Sequence, residues 1–436
     1  MKQLIKGLFS QILILIVLFS TSCSEQKNEK SLKIIDVAGS VGGGRITDIS
    51  EVAKEIRYIP LETSEMSLVS DRPRVIYENG RIYINDRTDS IKIFDNDGKL
   101  VGKFCRRGRG PEEYPHSENI YVVPKNGNIL INTRNESLSI FKYDKEGEFI
   151  GKFSMPRNAK FSIDSPYWLN DNSYMSAIQT YTDKPESSVV IYDSLGKVSL
   201  LLPIPKLPSY QIFEEVKPIG LLDRNGKIVY EKLESDIKRV RNPDAPKFYR
   251  FKDKIRVVYD SNDTVLSIGA NLQVDTPYIF NYGKYRDYSM DRSSIRGTKG
   301  KHIILTGRNG ESIFETDGFL LMQFALRDYA HEPYYKSTAD GKGTYAPNNS
   351  YAIFKKESGK FSFLNQTEKG VLGFRENLMG GPPFWPTYVS NDNSLVMIIS
   401  AASLIEYASN HKVSAKLAEI VKNLNENDNP VVVIAR

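Results

Sequence analysis

Three segments of this chain repeat at a fixed interval. They are "IKIFDNDGKLVGKF" (91–104), "LSIFKYDKEGEFIGKF" (138–153) and "VVIYDSLGKVSLLL" (189–202). Asp95, Asp144 and Asp193 are spaced by 49 residues, as are Gly98, Gly147 and Gly196. Aromatic residues keep step at Phe94, Tyr143 and Tyr192. A constant period of this size means one supersecondary unit per repeat. Within each unit, alternating apolar residues run into an Asp/Gly turn and alternate again. This is the pattern of a β-hairpin whose turn tolerates positive φ.

A second signal counts the units. A turn dipeptide followed at once by a strand occurs as "NGRIYI" at 79, "NGNILI" at 126, "NSYMSA" at 172, "NGKIVY" at 225, "DGFLLM" at 317 and "NSLVMI" at 393. Two hairpins per unit make a four-stranded antiparallel sheet. Small sheets recurring every 45–50 residues point to a β-propeller, in which radial repetition covers both faces of each sheet. The expected fold is therefore all-β, with one six-bladed β-propeller over 45–436. Seven blades is the alternative, because the long middle intervals have room for a degenerate repeat. "EIRYIPLET" (55–63) and "NPVVVIAR" (429–436) are expected to pair and close the ring. Between the last repeat and that strand, Val413, Leu417, Ile420, Val421 and Leu424 fall at helical spacing. They predict one short amphipathic helix over 411–427.

The first 22 residues read as an export signal. Lys2 and Lys6 precede an apolar run from Leu8 to Phe19, too short to span a membrane comfortably. "STSC" then resembles the lipobox of bacterial lipoproteins, with Ser20 in place of the usual leucine and Cys23 as the lipid-carrying residue. Residues 23–44 are expected to be a lipid-anchored flexible tether. The chain has two cysteines, so lipid on Cys23 leaves Cys105 without a disulfide partner. Cys105 is expected to be a buried thiol. The formal net charge of +6 falls to +4 once 1–22 are removed, which argues for no nucleic-acid partner.

The lipobox, the "IPLET" strand, the "IFDNDGK" hairpin and "GRGPEEY" together resemble the six-bladed β-propeller lipoproteins of Bacteroidota. These are NHL-repeat-like propellers, many of them described only as domains of unknown function. The resemblance covers nearly the whole mature chain. It implies the fold and a cell-envelope location, lipid-anchored to the outer membrane on its periplasmic face or at the cell surface. It implies no reaction.

Catalytic motifs are absent: there is no Gly-x-Ser-x-Gly, His-Glu-x-x-His or Cys-x-x-Cys. "DNDG" (95–98) lacks the downstream glutamate of a calcium loop and reads as a hairpin turn. No cofactor or metal is expected, although His116, His302 and His331 are the residues that would gather one. "RRGRGPEEY" (106–114) is a blade-to-blade corner. Its arginines either brace the blades through Glu112 and Glu113, or present Arg106, Arg107 and Arg109 to an anionic group beside Tyr114 and His116. The longer insertions are rich in aromatics and supply the other candidate ligand-binding residues, Tyr285, Arg327, His331 and Trp385. Aromatic loops above a concave face suit sugar rings or peptides. The expected function is a lipid-anchored binding or scaffolding module for a glycan, a peptide or an envelope partner. The alternative is a metal-dependent lyase or hydrolase acting on an extracellular polymer.

Overall fold

The computed structural model describes residues 32–70, 73–85, 90–104, 106–115, 119–134, 138–155, 161–163, 167–180, 187–195, 197–203, 212–213, 219–222, 228–231, 239–240, 246–259, 263–286, 302–306, 313–332, 336–337, 344–345 and 349–436. Cys23, Cys105 and His116 lie outside them.

The repeated aspartate is the pin of each hairpin. Asp95 Oδ1 accepts from the amides of Asp97 and Lys99, both at 2.9 Å. Asp144 does the same for Glu146 and Glu148, and Asp193 for Leu195 and Lys197. A short acceptor side chain that bonds its own backbone two residues on closes the turn locally. The glycine three residues later serves two ends. Gly98 and Gly147 have φ of 82° and 93°, a region costly for other residues. A Cβ on Gly98 would meet the Pro60 carbonyl at 2.1 Å, and one on Gly147 the Phe104 ring at 2.8 Å. These two turns therefore seat directly on the preceding blade.

Six sheets of four or five strands follow, and the protein is a six-bladed β-propeller. Blade 1 comprises Arg74–Glu78, Arg81–Asn85, Ile91–Phe94 and Leu100–Phe104. Blade 2 comprises Asn119–Val122, Ile129–Arg134, Leu138–Tyr143 and Phe149–Met155. Blade 3 is built on Tyr167–Asn170, Ser173–Thr180, Ser187–Tyr192 and Val198–Pro203. Blade 4 runs through Lys247–Phe251, Lys254–Val258, Thr264–Ile268 and Val274–Asn281. Blade 5 has Ile313–Glu315, Phe319–Ala325, Asn349–Lys355 and Lys360–Phe363. Blade 6 has Tyr388–Val389, Leu395–Ile399 and Val431–Ala435, completed by Ile56–Pro60.

The ring closes by apolar packing at six seams. Ile76 and Phe104 of blade 1 share a core with Ile129 and Phe141 of blade 2. Phe153 of blade 2 packs with Tyr174 and Tyr192 of blade 3. Met175 and Ile191 of blade 3 meet Phe248 and Val257 of blade 4. Tyr249 and Phe280 of blade 4 join Met322 and Phe354 of blade 5. Leu321 and Ile353 of blade 5 join Leu395 and Val433 of blade 6. Val396 and Ile434 of blade 6 return to Tyr77 and Ile82 of blade 1. Blades 3 and 4 are direct neighbours, which settles six blades against seven.

The segment between blades 3 and 4 corrects one reading of the sequence. The strand after the turn at 225 belongs to no blade. Ile219–Leu222 pairs with Ile228–Glu231, and Ile212–Phe213 with Arg239–Val240, as two separate two-stranded sheets. The first turn of blade 4 is instead at Lys252–Asp253, with Lys252 at φ 54°. No Asn-Gly or Asp-Gly pair marks it.

The N-terminal residues also differ from expectation. Residues 33–44, expected to be part of the tether, are a structured strap. Lys33–Asp36 pairs in parallel with the outer strand of blade 4. Ala38–Ser40 makes a 3-10 turn, and Ser40 Oγ donates to the Phe361 carbonyl of blade 5. Ile56–Pro60 then pairs antiparallel with Val431–Ala435, from Ile56 opposite Ala435 to Pro60 opposite Val431. The expected helix over 411–427 is present as Ala415–Lys422, and a second helix that the sequence did not announce, Ala401–Asn410, precedes it. Ser400 and Ser414 each accept from an amide three residues on, so each helix carries its own N-cap.

A buried charge cluster reinforces the seam between blades 4 and 5. Glu315 accepts two bonds from Arg256, at 2.9 and 3.0 Å, one from Lys356 at 2.7 Å, and one each from Tyr249 and Tyr278. Burial raises the Glu315 pKa, but these donors outweigh it and hold the carboxyl below its ordinary value.

All five side chains of Val431–Ala435 are buried. Each large one contributes about 1.5–3 kcal/mol, and a whole domain has only about 5–15 kcal/mol of stability. Deleting 431–436 is therefore expected to abolish the cooperative melt of the entire propeller. Calorimetry showing a near-normal transition in the truncated protein would refute this closure.

Candidate functional site

Strands alternate in direction within each blade. The link from a blade's fourth strand to the next blade therefore opens on the same face as the turn between its second and third strands. The described residues within 282–303, 326–348, 365–387 and 105–118 belong to links of these two kinds, so they share one face of the disc.

On that face, where blades 4 and 5 meet, lies a cavity of about 550 Å³. It is lined by Val41, Gly42, Lys284, Tyr285, Asp328, Tyr329 and Ala330. Three segments distant in sequence build it. The strap brings Val41 and Gly42, with Gly42 at φ 86°. A 3-10 turn at Gly283–Tyr285 follows blade 4 and another at Arg327–Tyr329 follows the second strand of blade 5. The rings of Tyr285 and Tyr329 meet edge to face, 4.8 Å apart at 83°. Lys284 and Asp328 are exposed at the rim and balance in charge.

The floor beside the cavity is tightly made. His331 Nε2 is 2.8 Å from Asn365 Oδ1, within hydrogen-bond distance. His331 Nδ1 is buried with no hydrogen-bond partner among the described residues. The strap crosses over this pair at Gly44. A Cβ there would lie 2.1 Å from Asn365 Oδ1 and 2.5 Å from His331 Nε2, so only glycine fits.

Of the residues singled out by sequence, Tyr285 lines this cavity. Arg327 and His331 flank its Asp328–Ala330 wall. Arg327 is buried at φ 54°, and burial lowers its pKa. Trp385 is on the same face, stacked on Tyr351 at 3.8 Å and close to Phe374. It packs into the seam between blades 5 and 6. His302 is buried. Among the described residues no cluster of three or more His, Cys, Asp or Glu is placed to hold a metal. Lys284, Asp328, Asn365 and the strap were not singled out by the sequence. The strap's glycines were its only trace, and they read as tether.

The "RRGRGPEEY" corner resolves residue by residue. Glu113 Oε2 accepts from the Gly110 amide at 2.8 Å, and a Cβ on Gly108 would overlap that same oxygen at 1.7 Å. The two glycines thus exist to admit one carboxylate into its own loop. The expected pairing of arginines with Glu112 and Glu113 is replaced by other partners. Arg106 reaches Glu148 at 3.3 Å, and Arg107 Nε donates to the Pro115 carbonyl at 3.1 Å. Arg107 and Arg109 are exposed. Tyr114 is 0% exposed and packs between Phe104 and Tyr143. A ring in the seam between blades 1 and 2 offers no surface for stacking, so its expected ligand role is corrected to packing.

The family described as "Domain of unknown function (DUF4934)" matches residues 32–436. Among solved structures, a "Putative exported protein" from Bacteroides fragilis is 15% identical, with 92% of this chain and 99% of that one covered and a TM-score of 0.56. A protein of unknown function from Bacteroides caccae is 11% identical, covering 68% of this chain and 83% of its own, with a TM-score of 0.30. Virginiamycin B lyase from Staphylococcus aureus is 11% identical, covering 88% and 100%, with a TM-score of 0.31. The first likeness shows the fold, and the other two are too distant to bear on function. No curated protein matches the chain.

The corner's two halves are expected to respond differently to substitution. Tyr114→Ala should cost about 3–5 kcal/mol, as for other large aromatics removed from a core. The double change Arg107→Ala with Arg109→Ala should stay within about 0.5 kcal/mol per site. Denaturant titration compares them, and equal losses would show that the arginines brace the blades after all.

Proposed function

Since the chain belongs to the DUF4934 family, whose description names no function, we propose from its geometry that it is a lipid-anchored, extracytoplasmic binding module. It captures a glycan or peptide segment on the face that carries its long links. The observation that supports this most is the cavity where blades 4 and 5 meet. Its volume of about 550 Å³ lies within the roughly 300–1,000 Å³ of small-molecule sites. Two tyrosines at right angles offer both a ring face and a ring edge. One cation and one anion at the rim leave no dominant charge. That balance favours a neutral polyhydroxylated ligand, such as a sugar unit of an envelope polymer, over an anionic one.

The anchoring part rests on the sequence of residues 1–23. Among the described residues no helix is long and apolar enough to cross a membrane. Attachment through lipid on Cys23, with the outer membrane as its site, fits a strap that enters the disc at Lys33, only ten residues beyond that cysteine.

Two measurements test these parts separately. Calorimetric titration of residues 32–436 with neutral hexose and N-acetylhexosamine oligosaccharides should give saturable binding. Tyr285→Ala or Tyr329→Ala should then weaken it by about tenfold, equivalent to about 1.4 kcal/mol. Affinity that is indifferent to both changes would remove the cavity from the reading. In cells fed a labelled fatty acid, Cys23→Ala should abolish labelling and release the protein from the membrane fraction. Persistent labelling would contradict the anchor.

A further inference from the structure

The first strands of the blades gather around the axis of the disc. Those of blades 1 and 2, 1 and 6, 4 and 5, and 5 and 6 touch one another. Around the channel that such an arrangement encloses, five of the six blades supply a functional side chain. These are Glu78 from blade 1, Tyr121 from blade 2, Trp168 from blade 3, Arg250 from blade 4 and Tyr388 from blade 6.

Arg250 is the centre of the group. Its guanidinium lies 4.6 Å from the Tyr121 ring centroid and 5.2 Å from that of Trp168. It donates to the Trp168 carbonyl. Among the described residues it has no carboxylate partner. The Tyr121 hydroxyl and the Trp168 Nε1 are both buried and have no hydrogen-bond partner among the described residues. Indole N–H can only donate, and guanidinium can only donate. Three donor groups from three blades thus converge on one place, and among the described residues the phenol and the indole lack an acceptor. Leaving buried donors unmet is costly, so the arrangement calls for something that accepts.

We infer that the central channel is an anion site in which Arg250, Tyr121 and Trp168 hold the carboxylate of a small organic acid. A carboxylate matches the planar fork of an arginine bidentately, and the remaining lone pairs of its two oxygens can accept from the phenol and indole donors. The two aromatic rings beside the guanidinium suit the apolar part of an organic acid better than a tetrahedral, fully polar ion. The site is independent of the blade 4–5 cavity, so either can fail without the other.

Glu78 gives the site a pH dependence of definite sign. Its carboxyl accepts from the Tyr388 hydroxyl at 2.7 Å and the Asn391 amide at 3.0 Å. Burial nonetheless pushes its pKa up to about 7, with Asp392 adding to the rise and Arg250 opposing it. Tyr388 stays a neutral donor, because burial and Glu78 push its own pKa well up. The Tyr121 phenol is raised by burial as well. Glu78 is therefore neutral below about pH 7 and repels no bound anion. Above that it ionises beside the site and weakens binding. By reciprocity, a bound carboxylate favours the protonated form of Glu78.

The two tryptophans make the test direct. In Trp385→Phe protein, Trp168 is the sole tryptophan reporter. Titration with acetate and benzoate at constant ionic strength should change its emission saturably, at least tenfold more tightly at pH 6 than at pH 8.5. Glu78→Gln should flatten that pH dependence while keeping binding. Arg250→Met should abolish it, and Arg250→Lys should weaken it by tenfold or more. Circular dichroism of each variant checks folding, and Glu78→Gln keeps the test decisive if the arginine variants misfold. Emission that responds to acetate no more than to chloride would overturn the site and leave a buried water as its occupant. Saturable binding of inorganic phosphate without binding of either acid would overturn the carboxylate assignment.

Discussion

A four-stranded sheet of alternating apolar residues has two faces to cover, and a lone blade covers neither. Everything else in this structure depends on that requirement. Each seam supplies a face to two blades at once, so six seams serve six blades only if the last blade returns to the first. Ile56–Pro60 makes the return by joining the outer edge of blade 6. The strand is short, but it ties residues at both ends of the described chain into one sheet. The strap before it runs from blade 4 over blade 5 on the way. Closure and the wall of the loop-face cavity are consequently parts of one segment. A perturbation of the strap at Gly44 would reach Asn365 and His331 as well as the ring.

Much of this was legible in the sequence because it is local. The aspartates at 95, 144 and 193 bond amides two and four residues on, so their spacing displays the repeat directly. The closing pair was legible for a different reason: two strands outside the repeats had no other partner. The turn at 225 misled because an Asn-Gly pair marks any hairpin, including one that belongs to no blade. Blade 4 was passed over because its turn uses Lys252 at positive φ, where the backbone is held by the sheet rather than announced by a glycine.

The sites were less legible, and the reason is again the ring. Tyr285, Arg327 and His331 stand out in aromatic-rich links, and two of those links do form one cavity. Tyr114 looked equally exposed in its sequence context, yet the seam between blades 1 and 2 closes over it. The channel group could not be read at all. Glu78, Tyr121, Trp168, Arg250 and Tyr388 are scattered over more than three hundred residues, and only the radial arrangement brings them together. A strand residue that faces an axis has no signature distinct from one that faces a core.

The central claim is that the strap, the closing strand and the blades are one cooperative unit. Native-state hydrogen exchange resolved by residue addresses it most directly. The amides of Ile56–Pro60 and Lys33–Asp36 should exchange only through global unfolding, with the same free energy as those of Val431–Ala435. Exchange of Ile56–Pro60 through a cheaper local opening, with blades 1 to 5 still protected, would contradict the account.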